Sequence, residues 1–109
     1  MVAHTQISTN PMIILKISVN TNPQKETEFL QALKTAFNKA SHFNVTNSSF
    51  SRDVYENFQF HIELSWNKEI ELKNYMSSDQ YQYLVGALTV LGDIIEQKII
   101  SADKIDKVN

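Results

Sequence analysis

Cysteine is absent from the 109-residue chain, and glycine occurs only twice, at Gly86 and Gly92. Without a thiol there is no disulfide framework, thiolate zinc site, iron–sulfur cluster or cysteine nucleophile. Two glycines so late and so close together cannot build a phosphate-cradling loop. An excess of charge of one sign is also missing. Ten Lys and Arg stand against twelve Asp and Glu, for a formal net charge of −2. The basic residues are scattered, so nucleic acid is not an expected partner, because such binding needs a basic stripe. Long apolar runs are lacking too. The longest, Met12-Ile13-Ile14-Leu15, falls far short of the ~20 residues that cross a bilayer. Residues Met1 to Gln6 lack the basic start and apolar stretch of a signal peptide. These absences predict a cytoplasmic protein with no membrane span. They also predict one domain over residues 11–102, with polar tails at 1–10 and 103–109.

What the chain does have is regular alternation. Ile13, Leu15, Ile17 and Val19 share one face of a strand over Met12 to Asn20, opposite Lys16, Ser18 and Asn20. Asn22-Pro23 starts a helix, with a capping side chain followed by proline at the first helical position. Phe29, Leu30, Leu33, Phe37 and Ala40 then recur at helical spacing. A hairpin follows, with arms at Ser49 to Val54 and Phe58 to Trp66 and a turn near Glu56-Asn57. Its second arm sets Phe58, Phe60, Ile62, Leu64 and Trp66 against Gln59, His61, Glu63 and Ser65.

A slip of one residue would exchange these faces. Keeping the apolar faces together requires an odd-numbered loop and predicts Val54 opposite Phe60 and Phe50 opposite Leu64. That register puts Arg52 on the Trp66 side of the sheet. Asn67 is the expected cap of a short helix carrying Ile70, Leu72 and Met76. Ser78 should cap a second helix with an apolar stripe from Tyr81 to Leu91, ended by Gly92. Ile94 to Ile100 reads as a last strand.

The order β-α-β-β-α-β, with the second helix broken, predicts an α+β ferredoxin-like sandwich. Helices cover one face of such a sheet. The other face mixes Lys16, Ser18, His61 and Glu63 with Ile14, and can be solvated or close against a second copy.

Arg52-Asp53, the strand Phe60-His61-Ile62-Glu63-Leu64-Ser65-Trp66, then Leu72, Tyr75-Met76, Ser78, Tyr81, Leu84 and Leu88 form an ordered pattern. It is an aromatic-rich strand ending in tryptophan, a short helix, a serine cap and a longer helix. In this pattern, from about Met12 to Ala102, the chain resembles the antibiotic-biosynthesis monooxygenases of the dimeric α+β-barrel superfamily. The resemblance implies a homodimer whose two sheets close into a barrel, with an apolar pocket between sheet and helices in each subunit. It also implies cofactor-independent oxidation of a flat aromatic or quinol-type molecule by molecular oxygen, with the substrate's own anion supplying the electron. Haem-degrading relatives pair the strand-end tryptophan with an asparagine and a histidine. Those positions fall at Ile17 and near Val85, so that mechanism is disfavoured. Polyketide-oxidising relatives have an asparagine and a tyrosine where Ile62 and Leu72 stand, and a common family histidine is replaced by Tyr75.

Of the family's functional positions only Trp66 carries over; Arg52, which the hairpin register places among Phe50, Val54 and Ile62, and Tyr75, which stands where the family has a histidine, are the expected catalytic residues, for anion stabilisation and proton relay. Trp66 is the expected ligand platform, and Phe60, Ile62, Tyr81 and Leu84 are the remaining expected substrate contacts. Each has a plainer alternative. Trp66 can be core, Arg52 can pair with a carboxylate or reach water, and Tyr75 can be a rim aromatic. His61 and Glu63 lack a third ligand at metal-binding spacing, so no metal and no cofactor are expected. They are placed inside the dimer barrel, hydrogen-bonded across its axis. His4 falls in the tail and His42 at a helix end. No serine lies in a nucleophile-elbow sequence. The competing reading is a non-catalytic ligand-binding or dimerisation module that kept the barrel and lost the chemistry. Haem binding without degradation is a third.

Overall fold

The computed structural model of the chain describes residues 12–102; residues 1–11 and 103–109, which hold the two expected tails and His4, lie outside the described residues. The strand predicted from the alternation is β1, Met12–Thr21. Asn22 Oδ1 accepts from the Gln24 N–H at 3.0 Å and opens a single 3₁₀ turn, Pro23–Lys25. That turn leads into α1, Glu26–Ala40, which buries Phe29, Leu33, Ala36 and Ala40. Glu26 and Glu28 lie in its first turn, where the helix dipole favours negative charge. Asn44, in the left-handed conformation at φ 60°, redirects the chain into β2, Asn47–Arg52. Asparagine is among the few residues that adopt this conformation readily.

The hairpin partner is β3, Gln59–Trp66. Its register differs from the expected one by two residues, with Phe50 opposite Ile62 and Arg52 opposite Phe60. A two-residue displacement preserves the faces, so the apolar sides still coincide. The longer connection is held by Asp53, whose N–H donates to Gln59 O and whose Oδ2 accepts from the N–H groups of Tyr55 and Glu56.

The broken helix consists of α2, Glu69–Met76, and α3, Asp79–Leu91. Lys68, not Asn67, occupies the cap position of α2, and no side chain caps it. Ser78 does cap α3. Its Oγ accepts from the Tyr81 N–H at 3.3 Å and donates to Tyr75 O at 2.6 Å, joining the two helices at the break.

Gly92 follows α3 in extended conformation and begins β4, Gly92–Ala102. Glycine is needed there for a reason other than a left-handed helix end. A Cβ would collide with Asn20 O and lie 3.0 Å from Thr21 Cα, because β4 starts hard against the end of β1.

The sheet order is β2-β3-β1-β4, and all neighbours are antiparallel. This is the ferredoxin-like α+β arrangement. Both expected strand faces pack inward, with Ile13 to Val19 and Phe60 to Trp66 meeting the apolar sides of the helices. No helix among the described residues is long and apolar enough to cross a membrane.

Candidate functional site

α1 seals one half of the covered face. Phe29 meets Phe60 at 5.0 Å between ring centroids, and Phe50 lies 6.0 Å from Phe60 and 6.3 Å from Phe37. Arg52 closes the edge. Its Nη1 and Nη2 donate to the two Glu26 carboxylate oxygens at 3.0 and 2.9 Å. Nη1 also donates to Asn57 O, and the guanidinium sits 4.6 Å from the Phe60 ring centroid. The hydrogen-bonded pair lowers the Glu26 carboxyl below its ordinary value and raises Arg52 above its own. The carboxylate alternative for Arg52 is therefore the one observed.

The other half, under α2 and α3, is built differently. Trp66 is fully buried, and its indole N–H donates to Phe43 O at 2.8 Å. Tyr75 packs 5.4 Å from Trp66 and meets Phe43 and Tyr81 edge-on at 5.6 and 5.7 Å. Tyr75 is fully buried rather than at a rim, and its hydroxyl has no hydrogen-bond partner among the described residues. Burial, and secondarily Tyr81, pushes its phenol well above the ordinary value, so Tyr75 is a neutral donor.

Beside this cluster lies a cleft of about 470 Å³, lined by Ile13, Leu72, Met76 and Ile99 with Glu69, Lys73, Ser77 and Ser101. A second recess of about 270 Å³ shares Met76 and Ile99 and adds Leu15, Tyr81, Gln97 and Lys98. The Tyr81 hydroxyl donates to Gln97 Oε1 at 2.8 Å, tying α3 to β4 at that recess. α3 packs along β4, whereas α2 packs on β3 and β1, and the cleft opens between α2 and the Ile99 to Ser101 end of β4. Ile99 is 53% exposed although it sits opposite Leu15 on the covered face.

The expected site residues are thus dispersed. Arg52 is paired across from Phe60, whereas Tyr75 stacks on Trp66 six residues further along β3, roughly 20 Å at strand rise. Phe60, Ile62 and Leu84 are buried core side chains. Of the expected contacts, Tyr81 lines the second recess. The cation at the main cleft is Lys73, paired with Glu69 at 3.1 Å across one exposed helical turn. No motif marks Met76 and Ile99 as ligand contacts; the signal the sequence carries is a final strand with isoleucine on both faces beside a short helix. His61, expected to hydrogen-bond across a dimer axis, has partners within its own chain. Both ring nitrogens are used within the chain, Nδ1 by Ser18 and Nε2 by Asp53. No group of three His, Asp or Glu among the described residues is placed to hold a metal ion.

No protein-family model matches the sequence, and no curated protein matches it significantly. Solved structures do match. A conserved protein of unknown function from Bacteroides thetaiotaomicron, described as a possible oxidoreductase, superposes with a TM-score of 0.73 at 16% identity, covering 85% of this chain and 99% of that one. A candidate antibiotic biosynthesis monooxygenase from Bordetella bronchiseptica gives 0.68 at 14% identity, covering 91% and 99%. Another, from Deinococcus radiodurans, gives 0.69 at 15% identity, covering 89% and 96%. At such identities the likeness is one of fold: the chain has the same ferredoxin-like architecture as these proteins along nearly their whole lengths.

Proposed function

We propose that the chain is a monooxygenase-type protein that takes a flat aromatic or quinol-type molecule into the cleft between β4 and α2, with molecular oxygen as second reactant. The observation that carries this reading is the apolar cleft beside a buried aromatic cluster whose Tyr75 hydroxyl lacks a partner. Its volume suits a small ligand. Ile13, Leu72, Met76 and Ile99 would hold the ring by apolar contact. Lys73, rather than Arg52, would stabilise a phenolate at the rim, and Glu69 would accept the departing proton. Tyr75 is fully buried and lines neither opening, so it would donate to a ligand oxygen only after a rearrangement of the residues around it. The fold shared with proteins named as candidate monooxygenases supports the same class.

A second reading, ligand binding without oxidation, is favoured by the Arg52–Glu26 pair and by the seclusion of Trp66. Oxygen uptake with a quinol and anthrone panel separates the two. The oxygenase reading expects saturable uptake above the uncatalysed rate that falls on Lys73→Ala. Binding at the cleft with no uptake above background would leave the second reading standing.

A further inference from the structure

The open face of the sheet carries a constellation that the cleft does not use. Ser18 Oγ lies 3.0 Å from His61 Nδ1, and His61 Nε2 lies 2.8 Å from Asp53 Oδ1. Asp53 is fixed in turn, because its Oδ2 accepts from the N–H groups of Tyr55 and Glu56, both at 3.0 Å. An ionised carboxylate only accepts, so the His61 proton sits on Nε2, and a neutral ring presents Nδ1 as an acceptor to the Ser18 hydroxyl. The Asp53 carboxyl is held below its ordinary value by His61 and these two N–H groups, which keeps it ionised. A second feature falls at the same place. The pairing of β1 with β4 breaks register between Ser18 and Val19, leaving Ile95 as the extra residue of a bulge. Bulges re-aim side chains and interrupt ladder pairing, and they are frequent beside active sites.

The geometry points to Ser18 as an activated nucleophile, with His61 as its general base and Asp53 as the residue that orients the imidazole. The group it would take is a small activated acyl group, as carried by an aryl ester. In that step the Ser18 Oγ–acyl carbon bond forms and the ester's carbon–aryloxide bond breaks. The hydroxyl proton passes to His61 Nδ1, and the aryloxide leaves with its electron pair. The products are acyl-Ser18 and a phenolate, with no change of oxidation state. The charged residues around the site are mixed. Lys16 stands two positions along β1 on the same face, opposite Glu63 and Lys98, and Glu96 stands opposite Ser18. An uncharged acyl group suits such surroundings. Ser18 is only 9% exposed, so the group must be small.

The test is reaction of the full chain with p-nitrophenyl acetate, followed by nitrophenolate release and by peptide mapping of the acetyl group. The expected result is about one equivalent of rapid release with acetyl on Ser18. Ser18→Ala should abolish both, and His61→Gln should slow them at least ~10-fold. Asp53→Asn should slow acylation while the melting temperature shows that the chain stays folded. Acetyl confined to lysine amines, or equal rates of Ser18 acylation in wild type and both folded variants, would overturn the assignment.

Discussion

The two halves of the covered face share one sheet, yet one is sealed and the other stays open. Over β2 and β3, a fifteen-residue helix with a continuous apolar stripe sets its Phe29 and Phe37 against Phe60 and Phe50 of the sheet, and an Arg52–Glu26 pair closes the edge. Over β1 and β4, the covering helix is broken into two shorter pieces, and the cleft lies between the shorter piece and the far end of β4. A long amphipathic helix fills a layer by itself, whereas a broken one trades coverage for space. The aromatic cluster of Trp66, Tyr75, Phe43 and Tyr81 stands at the boundary and gives the open half an aromatic wall.

The sharpest way to break this comparison is to delete volume from each half. Phe29→Ala should cost about 3–5 kcal/mol in denaturant unfolding, since the site cannot collapse around the lost ring. Gly92→Ala should cost about 1–3 kcal/mol, because a methyl there forces the β1 and β4 backbones apart. Tyr75→Phe should go the other way, stabilising the unliganded protein by about 1 kcal/mol by removing a buried hydroxyl that has no partner. In calorimetric titration the same variant should bind a quinol more weakly. Ile99→Ala, in the open half, should cost less than about 1 kcal/mol, as its side chain already borders space. If Ile99→Ala proved as costly as Phe29→Ala, the two halves would not differ as described.

The smallest expected effect is electrostatic. The folded Asp53 carboxyl lies below its ordinary value of 3.8, chiefly through its hydrogen bond with His61. Its contribution is therefore present above the unfolded value and lost as pH falls through the lower folded value. Asp53→Asn should flatten that part of an acid-unfolding curve and leave the neutral region nearly unchanged in shape.

The fold was largely legible from alternation. Ile13 to Val19 and Phe60 to Trp66 declared their inner faces, and Asn22-Pro23 and Ser78 declared helix starts through their own side-chain chemistry. The hairpin register was legible only to its face, because a two-residue slip leaves the apolar pattern intact. Asn67 has the chemistry of a cap, but the chain turns into α2 one residue later. The site was less legible than the fold. Nothing local distinguishes an Arg52 that holds a ligand from one that finds Glu26, twenty-six positions earlier on another element. Nor does spacing reveal that Ser18, Asp53 and His61, on three separate segments, meet on one face. The cleft itself is lined by residues of β1, α2 and β4 brought together by packing rather than by a motif.

The most direct test of the central claim is a quinol titration followed by methyl NMR on selectively labelled Ile, Leu and Met. The account predicts saturable shifts at Met76, Ile99, Leu72 and Ile13, with Ile17 and Ile62 little changed. Absence of saturable shifts at the cleft methyls, or shifts centred instead on Ile17 and Ile62, would contradict it.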